Sequence, residues 1–121
     1  MTNGNTFFLL RLNDHLQYLN QIERTLSGNG HFKGIAHTEC ELGRWIYGRG
    51  AQEITALHSE QAQQVFESIK QPHENFHLLS HQAVARKQAG DEEGARAAFR
   101  EMHRMSVTIC SKLLELDKMS F

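Results

Sequence analysis

The chain reads as an all-α protein, an antiparallel bundle of three long helices with a short extra helix carrying a cysteine motif. Three observations predict it. Apolar residues recur at steps of three and four over long stretches, no Val/Ile/Thr-rich segment alternates at period two, and the periodic stretches are separated by brief Gly-rich breaks.

The first helix carries Phe8, Leu12, His15, Leu19, Ile22 and Leu26 on one face, and Ser27-Gly28-Asn29-Gly30 ends it, because Gly and Asn tolerate the left-handed conformation. A loop is expected from His31 to Ala36. Thr38 then offers an N-cap for a short helix bearing Cys40, Leu42, Trp45 and Ile46, closed by Gly48 and Gly50. A third helical region starts near Ala51, re-caps at Ser59, and runs through Ala62, Phe66, Ile69, His73, His77, Ser80 and Val84 to Gly90. Pro72 falls within it and should either kink one long helix or start a fresh one, since its missing N–H is harmless only in a first turn. Asp91 with Gly94 opens the last helix, whose stripe is Ala98, Met102, Ser106, Ile109, Leu113 and Leu116.

With 121 residues the chain suffices for one core, so a single domain over 1–121 is expected. A formal net charge of −1 with interspersed signs supplies no basic stripe, which argues against nucleic acid as a partner. No run approaches the roughly 20 apolar residues that span a bilayer, and the start shows no secretion signal. A cytoplasmic protein without membrane attachment is therefore expected. Two cysteines, Cys40 and Cys110, are too few for a secreted disulfide framework.

Eight histidines are the compositional anomaly. His15, His73 and His77 occupy stripe positions where a bundle normally places Leu, Ile or Phe. A buried imidazole with an unsatisfied nitrogen costs about 1–3 kcal/mol, and a metal ion relieves that by accepting a lone pair while the other nitrogen donates elsewhere. His73 and His77, one turn apart on one face, have the spacing for sharing an ion, and Cys40 as thiolate selects tetrahedral Zn²⁺ over oxygen-seeking Mg²⁺ or Ca²⁺. The plainer reading is that these histidines only hydrogen-bond within the core. His81, one turn beyond His77, and His37, three residues before Cys40, are alternative ligands. Cys110 reads as a small buried residue, Trp45 as a core anchor and Gly43 as a point of close helix approach; Glu39, Glu41 and Asp14 read most simply as solvated carboxylates, with Asp14 the best placed of them to orient a ligand imidazole.

Cys40-Glu41-Leu42-Gly43-Arg44-Trp45-Ile46-Tyr47 resembles the signature of the chemoreceptor zinc-binding domain family: Cys, any residue, Leu or Phe, Gly, any residue, Trp, then an apolar or aromatic pair. Pro72-His73-Glu74-Asn75-Phe76-His77 is similar to the family's second motif, and Asp14-His15 to the remaining ligand position. Ser80 departs from the small residue, often Gly, that the family places three positions after the last ligand. The resemblance covers about residues 7–117 and implies an antiparallel four-helix bundle with a zinc site of His15, Cys40, His73 and His77, in a domain found with chemoreceptors or diguanylate cyclases and sometimes alone. This chain reads as a stand-alone member, so such a protein is its expected signalling partner, and a homodimer is expected by analogy. Four protein ligands leave no open position for water or substrate, which argues for a sensor of zinc or of Cys40 oxidation rather than an enzyme. The rival readings are a hemerythrin-like di-iron bundle, to which the single Glu74-x-x-His77 pair is the nearest feature, and a metal-free helical interaction module.

Overall fold

A computed structural model describes residues 4–32 and 34–120, the side chains of 4–8 and 120 excepted. The side chain of Phe8, first in the expected α1 stripe, thus lies outside the described part. Among the described residues the regular structure is helical throughout: α1 (Gly4–Leu26), α2 (Glu41–Ile46), α3 (Gly50–Thr55), α4 (Glu60–Gln88) and α5 (Glu92–Ser120). Among the described residues no helix is long and apolar enough to cross a membrane.

Helix boundaries follow from local chemistry. Gly28 and Gly90, at φ of +83° and +84°, end α1 and α4. At each the next residue's N–H reaches back to close the last turn, Asn29 to the Arg24 carbonyl and Asp91 to the Arg86 carbonyl, both at 2.8 Å. Ser59 caps α4 by accepting the Ala62 N–H at 3.1 Å, and Asp91 caps α5 by accepting the Gly94 N–H at 2.9 Å. The short helix departs from expectation at its start. Cys40, not Thr38, is its N-cap: its backbone is extended and its sulfur accepts the Gly43 N–H at 3.3 Å, while Thr38 sits in the preceding turn. Its end also differs, since Tyr47 caps it and Gly50 opens α3 instead of closing α2. Pro72 starts no new helix. α4 is continuous through it, and the roughly 3 kcal/mol that an interior proline costs is opposed by the burial of Ile69 and Phe76 on either side of it.

The chain direction explains how distant residues meet. His15 faces His73 while Tyr18 faces Ser80, so α1 and α4 run in the same sense. The segment joining them descends beside α4: Ile35 touches His77, His37 faces Glu74, Cys40 meets His73, Trp45 packs on Phe66, and Thr55 bonds Gln63. It serves as the second rung of an up-down-up-down bundle, made of loop and two short helices. The turn at Ala89–Asp91 folds α5 back along α4, and Arg96 of α5 reaches Glu23 of α1 at 2.8 Å. All six residues of the α5 stripe are buried, as are Leu19, Ile22 and Leu26 of α1 and Phe66, Ile69 and Phe76 of α4. Each large apolar side chain so placed contributes about 1.5–3 kcal/mol. The histidines among them forgo that gain.

Candidate metal centre

His15 comes from the α1 stripe, Cys40 from the cap of α2, and His73 and His77 from successive turns of α4. One potential ligand atom from each lies within 4.8 Å of the other three. The Cys40 Sγ is 3.1 Å from His73 Nε2, and the imidazole centroids are 4.8 Å apart for His73 and His77 and 5.4 Å for His15 and His73. Bonds of 2.0–2.3 Å in a tetrahedron place neighbouring ligand atoms about 3.3–3.6 Å apart. The cluster is therefore close to ligating dimensions.

Polar groups buried here are not otherwise provided for. His15 is 3% exposed, His73 0% and His77 2%. Both ring nitrogens of His15, Nδ1 of His73 and Nε2 of His77 have no hydrogen-bond partner among the described residues. His77 Nδ1 lies 2.9 Å from the Ile35 carbonyl and donates to it, which turns the free lone pair of Nε2 toward the cluster. Beside these rings is a cavity of about 20 Å³ lined by Asp14, His15, Tyr18, Cys40, Glu41, Leu42 and His77. That volume admits one water or one ion, and no substrate.

Burial sets the protonation states. It lowers the His15 imidazole to about 3, with the positive charge on His77 a lesser cause, and lowers His73 to about 2, aided by His15, His77 and His37. His77 falls to about 4, burial again dominating over the opposing hydrogen bond to Ile35. Three neutral imidazoles in neutral solution are three available lone pairs. The Cys40 thiol is raised by burial, against the amides of Gly43 and Leu42, which favour the thiolate. A divalent cation would reverse that balance, because it stabilises the sulfur anion directly. Two nitrogens and a sulfur suit Zn²⁺ among the common metals, and the remaining nitrogen adds to that preference. No carboxylate joins the four-residue group, so the bridging acids of a di-iron centre are missing from it.

A family profile for the chemoreceptor zinc-binding domain, CZB, matches residues 15–84, more than half of the chain. The chain belongs to that family. No curated protein and no solved structure matches it. The matched span runs from His15 past His77, and zinc is the cofactor of a CZB domain.

Neighbouring residues of this CZB domain take other places. His81 is exposed and points its Nε2 at the Ile35 carbonyl, 3.1 Å away, and His37 faces the Glu74 carboxylate at 3.9 Å. Neither joins the four. Asp14, the carboxylate best placed in the sequence to orient a ligand imidazole, pairs with the Arg11 guanidinium at 3.0 Å. Glu74 is on the outer face of α4. Gly43 permits a close approach, but to the preceding turn: a Cβ there would stand 1.8 Å from the His37 carbonyl oxygen. Trp45 is buried as an anchor against Phe66 and donates its indole N–H to Glu53 at 3.0 Å. Cys110 is half-buried on α5, outside the cluster. The Ile35 carbonyl carries no sequence signal at all, since any residue supplies one.

Proposed function

We propose that His15, Cys40, His73 and His77 bind one Zn²⁺ ion and that the domain is a cytoplasmic regulatory module, not an enzyme. The observation that carries this is the convergence of four nitrogen and sulfur donors, three of them on buried imidazoles with unpaired nitrogens, within 4.8 Å of each other. Zinc held there would keep Cys40 as a thiolate and tie α1, α2 and α4 together. Cys40 is also the cap of α2, so a change at the sulfur alters the start of that helix. Two stimuli act on it. One is zinc availability; the other is a two-electron oxidant such as a peroxide, whose O–O bond breaks as the thiolate sulfur attacks one oxygen, leaving S–OH and hydroxide. A sulfenic acid is a poor zinc ligand and a different cap. The output passes to a partner, for which family membership favours a chemoreceptor or a diguanylate cyclase, and self-association as a homodimer is the simplest route for it.

Metal content tests the reading. Protein purified without a histidine tag should carry about one zinc per chain by mass spectrometry. Cys40→Ser should weaken zinc binding by at least about a hundredfold, with Cys110→Ser close to the parent. Equal effects of the two substitutions, or a colourless protein free of metal after growth in zinc, would remove the proposal. An iron-loaded, coloured protein would favour the di-iron alternative.

A further inference from the structure

Outside the four donors, one feature of the site is built with unusual completeness: a closed ring of hydrogen bonds behind His77. Its members come from α1, α4 and the loop between α1 and α2. Ser80 Oγ donates to the His77 carbonyl at 2.7 Å. A serine has one hydroxyl hydrogen, so at the 2.8 Å contact between Ser80 and Tyr18 the tyrosine must be the donor. With its hydrogen spent, the Tyr18 oxygen is an acceptor, and the Ile35 N–H donates to it at 3.1 Å. The other side of the same residue closes the ring, because the Ile35 carbonyl accepts from His77 Nδ1 at 2.9 Å. The Tyr18 hydroxyl also lies 3.4 Å from the Ile35 carbonyl, a second and longer acceptor for the same hydrogen.

Packing shows that the ring depends on close approach. Ser80 is fully buried and Tyr18 is 8% exposed. Gly34, immediately before Ile35, has φ of +91°, and a Cβ on it would lie 2.8 Å from the Tyr18 hydroxyl and 3.1 Å from Ser80 Oγ. A left-handed residue without a side chain is what lets the loop press its peptide between the two hydroxyls. Of the three clustered imidazoles, His77 is also the one whose outward nitrogen has a partner.

We infer that Tyr18 and Ser80 are positioning residues for His77: by clamping the Ile35 peptide they hold the proton on Nδ1 and present Nε2 to the metal. The inference rests on the zinc reading above. The ring gives the Ser80 hydroxyl a role. His81 reaches the same carbonyl from the solvent side at 3.1 Å and adds a second, exposed donor to it.

Tyr18→Phe and Ser80→Ala each remove one oxygen and leave the shape of the core nearly unchanged. Zinc affinity, measured by competition with a chelator, should fall about tenfold or more in each, the range typical of groups that orient a metal ligand. Nitrogen-15 NMR of the metal-free protein should show His77 with its proton on Nδ1 in the parent and a mixture of tautomers in both variants. Ile54→Val, a buried change on α3, lowers stability without touching the ring and should leave both readouts as in the parent. If both variants bind zinc within about twofold of the parent and keep the Nδ1–H tautomer, the ring is merely structural and the inference is overturned. If the parent itself takes up no zinc, the zinc reading fails first, and this inference with it.

Discussion

At the residue scale, the site works by withholding partners from three imidazoles. Each accepts a proton near 6.5 in the unfolded chain, but in the fold His15 does so only near 3, His73 near 2 and His77 near 4. Between those values the unfolded state holds more protons, so acid favours unfolding. Stability of metal-free protein is full above about pH 6.5 and declines as pH drops toward 4, by up to about 1.4 kcal/mol per histidine per pH unit. Urea denaturation of chelator-treated protein between pH 7.5 and 4.5 should show that slope; a flat profile would mean the rings are solvated. The same protonation states fix the proton balance of zinc uptake. Neutral imidazoles have no proton to lose and the raised thiol of Cys40 has one, so binding near pH 7 should release roughly one proton. Calorimetry in buffers of different ionisation enthalpy counts it. The histidines were legible as candidate ligands because each interrupts an apolar stripe. Tyr18 and the Ile35 peptide were not, since a tyrosine on a helix face and a loop carbonyl look the same whether or not a hydrogen-bond ring passes through them.

At the scale of elements, the decisive piece is the six-residue α2, too short to be stable alone and held by what surrounds it. Cys40 caps it, Trp45 anchors it on Phe66, and Gly43 lets it sit against the His37–Thr38 turn. A methyl group at Gly43 has no space, with the His37 carbonyl oxygen 1.8 Å from where it would be. Gly43→Ala should therefore cost about 2 kcal/mol or more and move the cap sulfur, so that zinc affinity falls together with thermal stability. A variant with unchanged melting and zinc binding would show that the turn yields freely. The sequence pattern located this element but assigned its cap to Thr38, because hydroxyl and carboxamide side chains are the usual caps and a sulfur acceptor is not. Pro72 left two outcomes open in the sequence, and of these the structure shows one long helix through it, its buried face outweighing the local backbone preference.

For the whole molecule, periodicity foretold helices and a bundle, while chain direction lay beyond it. That α1 and α4 run the same way follows from the loop and two short helices acting as a descending rung, and such an irregular rung leaves no period to count. The arrangement divides the protein unequally. α4 and α5 are joined by a three-residue turn and bury their stripes against each other, whereas the donors on α1, α2 and α4 are separated by long spans of sequence and α5 supplies none. Local contacts close early in folding and distant ones late. Zinc should accordingly act on the rate at which the native protein comes apart, slowing it by about tenfold or more, while the refolding rate stays nearly the same with and without the metal. Stopped-flow traces of the single tryptophan, Trp45, would report both arms. A cell that strips the ion would then be shortening the lifetime of the native state, and the regulatory variable would be duration rather than shape.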